Sequence, residues 1–170
     1  MEHEAAEEPA RGAERAGFAE FFRTEYEVLL RAMYLITGDR FEAEDLAQDA
    51  FVKACQRWGR VQHMENPTGY LYRAAMNAHR SALRRVALAA RRTLSLQQSD
   101  AISESDDRDR IRRALATLPM NQREAIVLVE WLGMSDVEAG QVLGVSPVAV
   151  RVRISRAKAS LRLVIERAPA

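Results

Sequence analysis

The sequence predicts an all-α protein made of two small helical domains joined by a flexible acidic linker. Three observations predict it. No stretch of strand length alternates polar and apolar residues with period two. Apolar residues recur instead at spacings of three and four, in segments each bounded by a capping side chain, a glycine or a proline. The charge is nearly balanced, 25 Lys plus Arg against 24 Asp plus Glu in 170 residues, yet it is sorted into blocks of alternating sign.

Residues 1 to 14 carry five acids against Arg11, and residues 15 to 92 carry 13 bases against nine acids. Residues 93 to 107 carry four acids and no base, and residues 108 to 170 carry 11 bases against six acids. The first block is rich in Ala and Glu, holds Pro9 and Gly12, and lacks apolar periodicity, so residues 1–16 read as a disordered acidic tail. Residues 17–92 and 108–167 read as two basic domains. Between them, TLSLQQSDAISESDD (93–107) solvates well and packs poorly, the composition of a flexible acidic linker.

Within the first domain, Phe18, Phe21, Phe22, Tyr26, Leu29, Leu30, Met33 and Tyr34 form the stripe of an amphipathic helix ending near Gly38. A second stripe, Ala43, Leu46, Ala50, Phe51, Ala54 and Trp58, follows Asp39 and leaves Glu44, Asp45, Gln48, Asp49 and Lys53 on the opposite face. Asn66 and Pro67 supply a cap and a first helical residue for a third helix running to about Arg92. Beyond the linker, Ile111, Leu115 and Leu118 mark a short helix stopped by Pro119, and a second spans Ala125 to Leu132 before Gly133. Ser135 caps a helix over Asp136–Leu143, Gly144 turns the chain, and Ser146 with Pro147 opens a last helix reaching about Arg167.

Several function classes are set aside at this level. The longest uncharged apolar run considered, Ala125 to Val129, is far short of the roughly 18 residues of a membrane span, and an acidic start is unlike a signal peptide. We therefore expect no membrane insertion and a cytoplasmic protein. Cys55 has no second thiol to pair with, and its place on the apolar side of its helix predicts a core position. His3, His63 and His79 are scattered, HEAAE lacks the second histidine of a zinc-protease helix, and no glycine-rich phosphate loop occurs. The expectation is a protein that is not an enzyme, with no metal, no cofactor and no small-molecule substrate.

The stretch DVEAGQVLGVSPVAVRVRISRAK has the spacing of a helix-turn-helix. Gly140, four residues before the turn at Gly144, is expected where the second helix passes closely, with Leu143, Val145, Val150 and Ile154 wedged between the two. Burying Val150, Ile154, Ala157 and Leu161 leaves Val148, Ala149, Arg151, Val152, Arg153, Ser155, Arg156 and Lys158 outward. In such a motif the start of the second helix meets base edges and flanking cations meet phosphates. Arg151 is placed to read guanine, and Arg153, Arg156 and Lys158 to position the helix and steepen salt dependence.

A second basic face lies in YLYRAAMNAHRSALRR. Burying Leu71, Ala74, Ala75, Ala78 and Ala82 leaves Arg73, Asn77, Arg80, Ser81 and Arg84 in one stripe. An outward asparagine in mid-helix is a poor helix former that can donate to and accept from a base edge. With Arg85 beside it and Tyr70, Tyr72 and Trp58 nearby to stack on bases, this face suits single-stranded or opened DNA. A solvated helix face over core aromatics accounts for the same composition.

Over about residues 18 to 167 these features together resemble the extracytoplasmic-function (ECF) sigma factors, the smallest class of bacterial RNA polymerase sigma factors. FEAEDLAQDAFVKACQRW resembles the polymerase-binding helix of sigma region two, and NPTGYLYRAAMNAHRSALRR its promoter-melting helix. LPMNQREAIVLVEWLGMSDVEAGQVLGVSPVAVRVRISRAKASLR is similar to region four along its length. The resemblance implies that Asp45, Gln48 and Asp49, with Lys53, dock core RNA polymerase. It implies that Tyr70, Arg73, Asn77, Arg80, Ser81, Arg84 and Arg85 engage the minus ten element of promoter DNA. It further implies that Ser146, Pro147, Val148, Ala149, Arg151, Val152, Arg153, Ser155, Arg156 and Lys158 meet the minus thirty-five element. The linker matches the one that threads the RNA exit channel in the family, and an anti-sigma factor is an expected partner.

Two departures stand out. Many members carry aspartate at the position of Ser81, and Pro147, Val148 and Ala149 offer few hydrogen-bonding groups before Arg151, so base contacts there are expected to be apolar. A polymerase-independent helix-turn-helix repressor or activator would explain residues 108–167 and leave the first domain unused. A helical adaptor binding only protein would leave both basic faces unexplained.

Overall fold

The computed structural model describes residues 2–90 and 106–167, and every regular element among them is helical. Eight helices follow in order: α1 (Glu2–Thr37), α2 (Arg40–Gln56), α3 (Trp58–Val61), α4 (Pro67–Ala90), α5 (Asp106–Ala116), α6 (Met120–Ile126), α7 (Asp136–Leu143) and α8 (Pro147–Arg167). A π-helical turn, Val127–Trp131, continues α6.

The boundaries are set by local chemistry. Asp39 caps α2 by accepting from the Glu42 N–H at 3.0 Å, and Asn66 caps α4 by accepting from the Gly69 N–H, each satisfying an amide that has no partner in its own helix. Ser135 and Glu138 form a reciprocal capping box on α7. Ser146 accepts from the Ala149 N–H at 3.2 Å to open α8. Gly144 holds φ +68, a left-handed conformation that a side chain disfavours, and so lets the chain reverse between α7 and α8.

The start of the chain differs from the expectation. Residues 2–16, anticipated as a disordered tail, form the first turns of α1. Alanine and glutamate are strong helix formers, and a helix already running toward Phe18 needs no new nucleus to extend backward. Contact with the body begins by Glu14, whose Oε1 accepts from Gln62 Nε2 at 3.5 Å. The expected linker, residues 93–107, lies outside the described residues except for Asp106 and Asp107, which open α5.

α2 packs against α1 and α4. All of Ala43, Leu46, Ala50, Phe51, Ala54 and Trp58 are buried, as the stripe predicts. At one end Phe18 and Phe21 close on Trp58, with ring centroids 5.4 and 5.1 Å away, and Phe22 meets Phe51 edge-on at 4.8 Å. Edge-to-face pairs such as Phe18–Trp58 and Phe22–Phe51 align ring edges with ring faces, and full burial of a side chain such as Phe51 contributes about 1.5–3 kcal/mol. Trp58 and Tyr72 are therefore core residues, unavailable for stacking on bases. Cys55 is exposed rather than buried, because it falls one residue past the stripe, away from the neighbouring helices.

The second group, α5 to α8, builds its own core from Leu115, Leu118, Ala125, Leu128, Val142, Leu143, Val150 and Ile154. The two groups then share one continuous buried cluster, with α7 against α4 and the π-helical turn against α1. Arg123 ties them at one point. Its Nη1 donates to the Ile36 carbonyl at 2.9 Å, and its Nη2 donates to the carbonyls of Ala116 and Leu118 at 2.9 and 3.1 Å. One guanidinium thus serves carbonyls at the ends of α1 and α5, where a helix leaves them unpaired and a cation is favoured.

Candidate nucleic-acid interface

The helix-turn-helix is built as its spacing predicts, with one refinement at Gly140. A Cβ there would stand 2.8 Å from the Val145 carbonyl, so the glycine admits the backbone of the turn itself rather than the body of α8. Leu143, Val150 and Ile154 are buried and Val145 partly so. That wedge fixes α8 with Ser146, Val148, Arg151, Val152, Ser155, Arg156 and Lys158 exposed and Pro147, Ala149 and Arg153 half-buried.

Two of these cations already have acidic partners. Arg151 Nη1 lies 3.2 Å from Asp136 Oδ2 at the start of α7, and Lys158 Nζ lies 2.7 Å from Glu130 Oε1 in the π-helical turn. Glu130 and Asp136 face Arg151, Ser155, Lys158 and Arg162 across an open groove of about 430 Å³. Sequence spacing placed the cations but not the carboxylates, because only the fold brings the turn before α7 alongside α8. Beside them the Glu138 carboxyl is held below its ordinary range by the backbone and then the side-chain hydrogen bonds of Ser135.

On α4 the predicted stripe is present, with Arg80, Ser81 and Arg84 already engaged. Arg73, Asn77, Arg84 and Arg85 are exposed, while Tyr70, Arg80 and Ser81 are half-buried. Arg84 Nη2 donates to Ser81 Oγ at 3.0 Å. Arg80 Nη2 stands 3.4 Å from Oε2 of Glu124, a buried carboxylate of α6. Behind the stripe His79 is also buried, its Nδ1 3.1 Å from Glu42 Oε1. Nearby, burial and then the Glu25 carboxylate push the Tyr72 hydroxyl well above its ordinary range.

The outer face of α2 presents Asp45, Gln48, Asp49 and Lys53, all exposed. Two residues missed at the level of sequence join it. Phe41 is 69% exposed and Val52 54% exposed, and positions 41, 45, 48 and 52 recur at helical spacing along one side. Apolar side chains interrupting a polar face were the available signal, since such residues mark contact surfaces when they cluster.

Among the described residues no cluster of His, Cys, Asp or Glu is arranged to hold a metal, and no helix is long and apolar enough to cross a membrane. A cation-lined helix-turn-helix joined to a bundle with its own basic face defines a helical transcription protein of the DNA-binding class. Residues 21–88 match the family described as Sigma-70 region 2, and residues 108–161 match Sigma-70, region 4. The RNA polymerase sigma-E factor of Streptomyces coelicolor is 32% identical over 148 residues, covering 85% of this chain and 84% of that protein. The ECF RNA polymerase sigma factor SigM of Mycobacterium tuberculosis is 30% identical over 152 residues, covering 87% and 76%. The solved structure of the sigma factor RpoE with the anti-sigma factor NepR from Bartonella quintana shares the fold, with a TM-score of 0.79 at 22% identity, covering 90% of this chain and 99% of that one. CnrH, solved with the cytosolic domain of CnrY, gives 0.67 at 26% identity, covering 91% of each chain. The chain belongs to the ECF RNA polymerase sigma factors.

Proposed function

We propose that this sigma factor docks on core RNA polymerase through the outer face of α2, reads the minus thirty-five element with α8 and opens the minus ten element with α4. The observation that carries the reading is the coexistence, in one chain of sigma family, of three outward faces of the required chemistry. Asp45, Gln48 and Asp49 offer charge and amides around the apolar anchors Phe41 and Val52, the mixture of an anchor and a polar rim found at protein interfaces. Arg151 is exposed one turn into a capped helix, where a guanidinium reaches guanine bidentately, and Val148 and Val152 can meet thymine methyl groups. Asn77 is exposed among Arg73, Arg84 and Arg85, which joins a base-edge amide to phosphate-neutralising charge.

The polymerase makes the bonds, and this chain supplies recognition in the cytoplasm without catalysing a reaction. Arg80 is half-buried and gives one Nη2 contact to Glu124, so it joins the DNA-facing stripe through the N–H groups that this contact leaves free. An anti-sigma factor is the expected third partner, a reading supported by the solved relative RpoE, which is in complex with the anti-sigma factor NepR.

The test is promoter opening by reconstituted holoenzyme on DNA selected by the wild-type protein. Asn77→Ala should reduce permanganate reactivity of opened thymines more than initial binding. Arg151→Ala should weaken the upstream footprint. Full opening by the first variant and an unchanged footprint with the second would overturn these assignments.

A further inference from the structure

We propose that Asp136 sets base discrimination by α8, acting as a positioning residue that orients Arg151 and repels phosphate. This rests on the DNA-reading role proposed above for α8. Asp136 is the first residue of α7, and its backbone is fixed by the Ser135 cap and by the Gly140 packing that seats α7 against the turn leading into α8. Its Oδ2 receives Arg151 through Nη1 at 3.2 Å. A guanidinium presents five N–H groups in a rigid planar fork, so a single contact at Nη1 leaves the Nε and Nη2 edge free for a bidentate contact. Arg151 is thereby held at one end while its side chain stays exposed.

The pair is a poor source of stability, because the arginine is 58% exposed and solvent screens the attraction. Its consequence lies in which DNA is bound. An unrestrained arginine exchanges freely among phosphates, which adds affinity for every sequence, whereas a tethered one loses less freedom on meeting a guanine edge placed to receive it. The carboxylate charge acts in the same sense by weakening association with phosphate that brings no base contact. Glu130 provides the comparison within the same groove. It holds Lys158 at 2.7 Å, and an ammonium is a point charge without a reading edge. Removing that acid should strengthen binding to all duplexes alike.

Holoenzymes carrying wild-type protein, Asp136→Asn, Glu130→Gln, Arg151→Ala or the double variant Asp136→Asn/Arg151→Ala are each used to select from a randomised duplex pool. Melting temperatures confirm that each variant is folded. Wild type should enrich one base position that Arg151→Ala loses. Asp136→Asn should reduce preference at that position on the order of fivefold or more, the lower end of what a bidentate base contact contributes, and tighten binding to scrambled duplex. Glu130→Gln should tighten binding without changing the preference. In the Arg151→Ala background Asp136→Asn should change nothing at that position. Unchanged preference in Asp136→Asn, with an Arg151-dependent position present, overturns the proposal and leaves the reading of α8 intact. Absence of any Arg151-dependent position overturns that reading, and this proposal with it.

Discussion

Arg80 of α4 and Glu124 of α6 meet where the two helical groups join, Nη2 3.4 Å from Oε2, and the carboxylate is buried there. A buried carboxylate with one cationic partner is costly to strand, so this pair and Arg123 together hold the joint closed. Arg123 itself is partly desolvated, which lowers its pKa from the ordinary arginine value while its two terminal nitrogens serve three carbonyls.

Arg123→Ala should therefore loosen the joint. Loss of the guanidinium leaves the carbonyls of Ile36 and Leu118 without this donor, at a cost of about 1–3 kcal/mol. The variant should show a lower Tm and a larger radius of gyration by small-angle scattering. An unchanged radius would mean that apolar packing alone closes the two groups.

The capping box of α7 should impart an acid limit to the helix-turn-helix. Glu138 titrates below its ordinary value of 4.5 because Ser135 hydrogen-bonds its ionised form. Its contribution is thus fully present above that value and is lost as pH falls through the lower folded-state pKa. Glu138→Gln should melt below wild type at pH 7, and the gap should shrink by pH 3. A gap independent of pH would contradict the assignment.

At alkaline pH the sign reverses through Tyr72. Its hydroxyl titrates above the ordinary value of 10.0, first from burial and then from Glu25, so the stability it provides is present below pH 10 and declines as pH rises beyond it. Tyr72→Phe should lose less stability than wild type between pH 8 and pH 11 in denaturant titrations. Equal losses would show that Tyr72 ionises as freely folded as unfolded.

Gly140→Ala should strain the turn, since the new Cβ meets the Val145 carbonyl at 2.8 Å and that oxygen belongs to backbone. Overpacking of this kind costs about 1–3 kcal/mol. Denaturant unfolding should report the loss, and duplex binding should weaken with it. Wild-type stability would mean that the turn relaxes freely.

Much of this architecture was legible because its signals are local. Asp39, Asn66, Ser135 and Ser146 each cap the helix that follows them, and a cap is a matter of three or four neighbouring residues. The apolar stripe of α2 is buried in full for a similar reason, since helical periodicity alone assigns the face. What escaped depends on distant partners. Trp58 and Tyr72 look available for stacking until the first is enclosed by Phe18 and Phe21 and the second is buried within the α1, α2 and α4 bundle. Arg123 reads as one more cation, yet its acceptor at Ile36 is 87 residues away. The carboxylates of Glu130 and Asp136 acquire meaning only when the fold places them beside Lys158 and Arg151. The helical start of α1 was missed because composition suggestive of disorder is also composition of high helix propensity.

Docking through α2 is tested most directly by binding of the purified protein to bacterial core RNA polymerase, with Asp45→Ala/Gln48→Ala/Asp49→Ala beside it and the fold of both checked by circular dichroism. The three side chains are exposed on α2, so their removal should leave the fold intact. Tight binding by the wild type that falls by at least tenfold in the variant is the predicted result. Equal binding by both would move the docking face elsewhere, and no binding by the folded wild type would overturn its proposed role with core polymerase.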